Sequence, residues 1–311
     1  MGTGKGYGKT ILFGEHFVVY GLPSIVSALG AYTTADVKVV KGNGWTVNDQ
    51  RPATPGYKEQ KYIEAMQSIA NIINHLKVDI ENQRLEISFA GDLIAASGVG
   101  ASAAQCTSLA RALSETFNLN LDDEKINEAA YEGEKAYHGT PSGIDNTAST
   151  YGGLIWFVRN LGAGKNTMDL LRSPRKMLIV IANSGITAST TEVVADVRRL
   201  REENPEKIEK IFGEYKKLVE AAKKALLKGD IATIGNLMNQ NHKMLQQITV
   251  SGEINDELVE IALENGAIGA KLTGTGRGGL VIGLAENEDI QEKIADALEK
   301  KGYTAWKTTI G

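Results

Sequence analysis

The chain has 311 residues, 42% of them hydrophobic and 23% charged, with a formal net charge of −4. That describes an ordinary globular protein of about two domains, with no electrostatic reason to bind nucleic acid or an anionic membrane. The single cysteine, Cys106, excludes an internal disulfide and suits a reducing cytoplasm; four scattered histidines argue against zinc; no run is long and apolar enough to span a membrane.

The first ninety residues read mainly as strands: Thr10-Ile11-Leu12-Phe13, Phe17-Val18-Val19-Tyr20 and the stretch from Ala31 to Val40 are apolar or β-branched runs punctuated by Gly and Pro. Lys41 to Gly56 reads as a hairpin followed by a loop. Tyr62, Ile63, Met66, Ile69, Ile73 and Leu76 then recur at helical spacing, and Arg84 to Phe89 alternates as a half-buried strand does. A loop from Gly91 leads into a helix near Ser102 to Phe117, and a second helix runs from about Asp123 to Tyr137, capped by Asp122 or Asp123. Gly153 to Val158 and Met177 to Ala182 are expected buried strands, and the polar tract Gly162 to Ser173 between them suggests a domain boundary. From Thr187 to about Leu263 the pattern is helical. Its stripe Ile208, Ile211, Phe212, Tyr215, Leu218, Val219, Ala222 and Leu226 would bury either a core or a homodimer interface. The end returns to strands at Ala267 to Leu272, Leu280 to Ala285 and Tyr303 to Thr308, with a helix near Asp289 to Lys300. The expectation is an α+β chain divided into 1–170 and 171–311.

Two familiar nucleotide motifs fail on context. Gly8-Lys9-Thr10 ends like a P-loop, but the required first Gly falls at Thr3 and the strand is expected after the glycines. Gly98 to Ala103 fits the dinucleotide pattern G-x-G-x-x-G/A. The acids about 20 residues on, Asp122 and Asp123, however, open a helix instead of ending a second strand.

Gly98-Val99-Gly100-Ala101-Ser102-Ala103 nevertheless runs directly into a helix, whose first N–H groups favour anions. This suits a polyphosphate, with the Ser102 hydroxyl a ligand for its magnesium; a tight turn with close helix packing explains the segment as well. Glu134 and Asp145 stand eleven residues apart across His138-Gly139-Thr140-Pro141-Ser142-Gly143, a helix stop and turn. Folded together, one carboxylate would hold Mg²⁺ and the other would accept a hydroxyl proton, as phosphoryl transfer needs. The plain alternative makes Glu134 a surface helix residue and Asp145 an N-cap. Lys9 would offset developing charge, and Glu15-His16 follows its strand. Thr273 to Gly279, with Gly274 and Gly276, is a second glycine-rich turn, between two strands.

In their order along the chain, GKTILFGEHFVVYG from Lys9, GVGASAA from Gly98, HGTPSGIDN from His138 and KLTGTGRGG from Lys271 resemble the motifs of the GHMP kinases, and among these the mevalonate kinases most. The resemblance implies a ribosomal-protein-S5-like N-terminal domain and a ferredoxin-like C-terminal domain with extra helices. It also implies transfer of the ATP γ-phosphoryl group to mevalonate. By motif match Asp145 is the base and Lys9 its charge partner, and Ser102 and Glu134 are the Mg²⁺ ligands. The backbone of Gly98, Val99, Gly100, Ala101, Ser102 and Ala103 cradles ATP, and Glu15, His16, Ser142 and Thr190 contact the substrate. Other readings are a different GHMP substrate, diphosphomevalonate decarboxylase, or a nucleotide sensor without catalysis. The chain departs from the family at Ile94 to Ser97, at Ala101 and at Arg277, which stands in place of a glycine and would either clash or add a phosphate contact.

Overall fold

The computed structural model describes residues 1–96, 98–186 and 188–311, so Ser97 and Thr187 of the sequence reading lie outside the described residues. The chain forms two compact units: Met1–Lys9 with Ala28–Gly152, and Thr10–Ser27 with Gly153–Gly311. The division is discontinuous in sequence, where the sequence reading drew one cut after residue 170.

The first unit contains the start of β1 (Gly2–Phe13), most of β2 (Ser24–Val40), β3 (Trp45–Asp49), α1 (Tyr57–Gln60), α2 (Tyr62–His75), β4 (Arg84–Gly91), α3 (Ala101–Thr116), α4 (Asp123–His138) and α5 (Ile144–Tyr151). β2 pairs antiparallel with β4 from Thr33↔Gly91 to Val40↔Arg84, and β3 pairs parallel with β4 from Trp45↔Leu85. The expected hairpin after Val40 is therefore absent: the chain crosses β4 and pairs on its far side, where Trp45 and Val47 pack against the core. That core joins Val37, Leu85, Ile87 and Phe89 of the sheet to Ile69 and Ile72 of α2, Leu109 and Leu113 of α3, and Ile126 of α4.

The glycines of β1 set how closely α3 approaches. A Cβ on Gly4 would lie 2.0 Å from the Ser108 carbonyl oxygen, and one on Gly6 would lie 2.2 Å from that of Ala104. Every second residue of the strand faces the helix, so only hydrogen fits there. The strand thus begins at Gly2 and includes the glycines, whereas the sequence reading started it after them.

The second unit adds β5 (Leu154–Val158), β6 (Thr167–Leu171), β7 (Met177–Asn183), α6 (Thr190–Glu203), α7 (Pro205–Lys228), α8 (Ile231–Gln247), α9 (Glu253–Glu264), β8 (Gly269–Thr273), β9 (Leu280–Ala285), α10 (Glu288–Lys300) and β10 (Thr304–Ile310). Four strands form an antiparallel sheet in the order β10-β7-β9-β8, with α8 and α9 packed on β8 and α10 on β7 and β10. β5 pairs with Ser24–Ser27 of β2 and with β6. β6 lies inside the tract expected to be a boundary; only Leu171 of it is buried, and the apolar Leu170 is exposed, so burial does not mark it as a strand.

Phe17-Val18-Val19-Tyr20 is a 3₁₀ turn, not the strand expected from its β-branched composition. Consecutive Phe17 and Val18 are both buried, which a strand would have split between opposite faces. The Phe17 ring stacks on Tyr215 of α7 at a centroid distance of 3.8 Å, and the Tyr215 hydroxyl donates to the Pro23 carbonyl at 2.7 Å. The α7 stripe read from the sequence is buried throughout, within the core.

Candidate active site

In the first unit three separate elements bring their charged groups together. Lys9, near the middle of β1 and 4% exposed, places Nζ 3.2 Å from Oδ1 of Asp145. Asp145 occupies the first turn of α5, behind the left-handed Gly143 N-cap, where the helix dipole favours a negative charge. Gly143 takes the cap that the plain reading gave to Asp145. Ser142 accepts a hydrogen bond from the Ile144 N–H, steadying the same turn.

The glycine loop reaches the pair through the backbone: the Lys9 N–H donates to the Val99 carbonyl at 2.8 Å. Gly100 has φ +72°, and a Cβ there would lie 2.7 Å from Cγ of Lys9, so conformation and space both demand glycine. Val99, Ala101 and Ala103 bury their side chains, which leaves their peptide groups as what they can offer a ligand. No side chain caps the first turn of α3. Those N–H groups and Gly98 make an anion-favouring helix start.

Glu134 projects from the last turn of α4 and is 1% exposed, contrary to the surface position that composition alone suggested. Its Oε2 has no hydrogen-bond partner, and Nε2 of His138 stands 3.6 Å away. The Ser102 side chain is close enough to the carboxylate to favour its charged form. Burial and repulsion from Asp145 push Glu134 up to about 8, against smaller opposing pulls from Ser102 and Lys9. Burial lowers His138, helped by Lys9 and Lys61 and opposed by Asp145. One ligand atom each from Glu134, His138 and Asp145 lies within 4.8 Å of the others. An orphaned buried carboxylate oxygen beside a hydroxyl and a second carboxylate is a donor set that fits a hard divalent cation.

In the second unit, Glu15 and Lys271 form a fully buried ion pair, with Nζ of Lys271 donating to Oε1 of Glu15. Oε2 accepts the Gly14 N–H at 3.2 Å. Burial pushes Glu15 up and Lys271 down, and their mutual attraction opposes both shifts. His16 donates from Nε2 to the Thr275 carbonyl at 2.6 Å, which leaves Nδ1 as a bare acceptor with no partner. Burial lowers this imidazole to about 4, so it is neutral at physiological pH. The Thr190 and Thr275 hydroxyls lie 2.8 Å apart, and Thr273 Oγ1 accepts from Ile11 N and donates to Ile11 O. Gly274 and Gly276 both have positive φ. Arg277 neither clashes nor stands free: its guanidinium pairs with Asp196 of α6 and donates to the Thr249 carbonyl at 3.0 Å.

The first unit thus unites Lys9, the residues from Gly98 to Ala103, Glu134, Ser142 and Asp145, and the second holds Glu15, His16, Thr190, Gly274 and Gly276. Sequence reasoning passed over His138, although its i,i+4 spacing from Glu134 puts both on one helix face. It named Lys271, Thr273 and Thr275 within the last glycine-rich motif but gave them no role of their own. Their alternation along β8 and the following turn was the available signal: side chains at 271 and 273 and the carbonyl at 275 grip Glu15, Ile11 and His16.

Comparison with known proteins places the chain in a family. Family models described as GHMP kinases N terminal domain and GHMP kinases C terminal match residues 63–153 and 222–304. The chain is 33% identical to a mevalonate kinase of Pyrococcus abyssi over 97% of its own length and 93% of the relative's. The chain belongs to the mevalonate kinase family of the GHMP kinases. A mevalonate kinase of Thermococcus gammatolerans is 34% identical over 97% of this chain and 94% of that one. The crystal structure of L. major mevalonate kinase in complex with R-mevalonate superposes with a TM-score of 0.96 at 42% identity, covering 100% of this chain and 96% of the other. Membership fits the α+β architecture, and among the described residues no helix is long and apolar enough to cross a membrane.

Proposed function

We propose that this GHMP kinase phosphorylates mevalonate, taking the γ-phosphoryl group of ATP to the primary hydroxyl and releasing ADP and 5-phosphomevalonate. The observation that carries the reading is the Lys9–Asp145 pair beside the buried Glu134 and the glycine loop, within one unit. In this reading the peptide N–H groups from Gly98 to Ala103 hold the nucleotide phosphates at the α3 N-terminus. Ser102 and the Glu134 carboxylate would hold Mg²⁺, a hard cation that prefers oxygen ligands. A bound Mg²⁺ would neutralise charge on the nucleotide phosphates.

Asp145 orients the acceptor hydroxyl and takes its proton on the carboxylate as the new oxygen–phosphorus bond forms and the bond to ADP breaks. Lys9 stays paired with that carboxylate and offsets charge on the moving phosphoryl group. His16 presents Nδ1 as an acceptor, which suits a hydroxyl donor on the substrate. Ser142 in the first unit and Thr190 in the second are further substrate contacts in this reading. Glu15, expected from the resemblance to contact the substrate, is fully buried and engaged by Lys271 and the Gly14 N–H, so in this reading it holds the segment that carries His16.

The test is ADP release from Mg-ATP across mevalonate, phosphomevalonate, diphosphomevalonate, galactose and homoserine. A strong response to mevalonate alone is expected. Preference for another alcohol would replace the substrate, and silence across the panel would remove the kinase reading in favour of a nucleotide sensor.

A further inference from the structure

Arg51 is charged, almost wholly enclosed and unused by the mechanism above. It follows β3 on the loop towards α1. Its Nε and Nη2 donate to the two carboxylate oxygens of Asp49 at 2.9 and 2.7 Å, and its own N–H donates to Asp49 Oδ1 at 3.1 Å. The other side of the same guanidinium reaches α3: Nη1 donates to the Ala101 carbonyl at 3.2 Å, and Nη2 donates to Gln105 Oε1 at 2.7 Å. The Phe89 ring lies beneath, its centroid 5.5 Å from Cζ. Lys58 holds Asp49 from behind, donating to its backbone carbonyl at 2.8 Å. Gln105 Oε1 also accepts the Tyr137 hydroxyl at 3.5 Å, which extends the network to α4, three residues past Glu134.

A buried guanidinium persists only where its donors are satisfied, and a rigid planar fork can bind several acceptors at once in fixed directions. Here the acceptors are the end of β3 and the first turn of the helix that receives the phosphates. The Ala101 carbonyl belongs to the residue preceding Ser102, so the clamp acts on the peptide groups that would face a polyphosphate.

We propose that Arg51 is a positioning residue for the nucleotide: it holds the first turn of α3 in its binding geometry without touching the ligand. The inference rests on the nucleotide site proposed above. An unclamped turn would have to be ordered at each binding event, and that cost appears as lost affinity for ATP alone. A staple serving only the fold would lower stability and leave the affinity of the folded protein unchanged.

The experiment compares wild type, Arg51→Lys and Gln105→Met by thermal melting, by calorimetric titration with a non-hydrolysable Mg-ATP analogue, and by steady-state kinetics. Lysine keeps the charge but cannot span Asp49, Ala101 and Gln105 together. Arg51→Lys should weaken the analogue about tenfold, the scale of one charge-assisted hydrogen bond, and raise KM for ATP in parallel. KM for mevalonate should stay within about twofold. Gln105→Met, which leaves the Arg51–Asp49 pair in place, should weaken the analogue by about threefold. Folded Arg51→Lys protein that binds the analogue as wild type does overturns the proposal. If that variant does not fold, wild-type affinity in Gln105→Met overturns it. Wild-type protein that binds no nucleotide would instead refute the site reading before any substitution is made, and this inference would fall with it.

Discussion

Glu134 makes the cation-free protein sensitive to pH in a direction opposite to ordinary acid denaturation. Its carboxyl is raised to about 8 in the fold from 4.5 in an unconstrained chain. Between those values the folded state holds a proton that the unfolded state lacks. The stability contributed by the neutral form is therefore complete below 4.5 and is lost as pH rises through the folded value. From about pH 6 to about pH 8 the loss integrates to about 2 kcal/mol, since each unit of displacement is worth about 1.4 kcal/mol and the titration levels off near the upper end. Glu134→Gln removes the titration while keeping the shape. The assay is isothermal urea unfolding of both proteins in a chelator at several pH values. Wild type should lose about 2 kcal/mol relative to the Gln variant across that window. Saturating Mg²⁺ should abolish the difference, because a cation replaces the proton. Parallel curves for the two proteins in chelator would refute the buried-acid argument.

Three further outcomes follow from other contacts. Gly4→Ala forces its Cβ to within 2.0 Å of the Ser108 carbonyl oxygen, so α3 must move; a stability loss of about 1–3 kcal/mol by urea unfolding and a higher KM for ATP are expected. Lys271→Met strands the fully buried Glu15. Unfolding should show a loss of about 3–5 kcal/mol, and adding Glu15→Gln should restore most of it. His16 is lowered to about 4 by burial. The native state then resists a proton that the unfolded chain accepts below about 6.5, so this group costs stability as pH falls from there towards 4. The pH profile of kcat/KM should accordingly show no inflection that is removed by His16→Asn in that interval.

Local chemistry made part of this molecule legible. The α7 stripe, the Asp122 cap on α4 and the glycine loop opening α3 each follow from neighbours in sequence. What escaped depends on partners far along the chain. The β1 glycines look like breakers until α3 is laid against them. β3 pairs with β4 beyond an intervening helix, so no local turn announces it. The burial of Glu134 and the engagement of Glu15 by Lys271, 256 residues away, are tertiary facts that composition hides. Arg51 belongs to the same class: its chemistry appears only once Ala101 and Gln105 are beside it.

Asp145 carries the proposed phosphoryl transfer most directly. Asp145→Asn keeps the side chain's size and removes the carboxylate facing Lys9. Mevalonate-dependent ADP release should fall by about two to four orders of magnitude, the range typical of losing a positioned acid–base group, while the affinity for the Mg-ATP analogue changes little. Turnover close to that of the wild type would contradict the proposed chemistry.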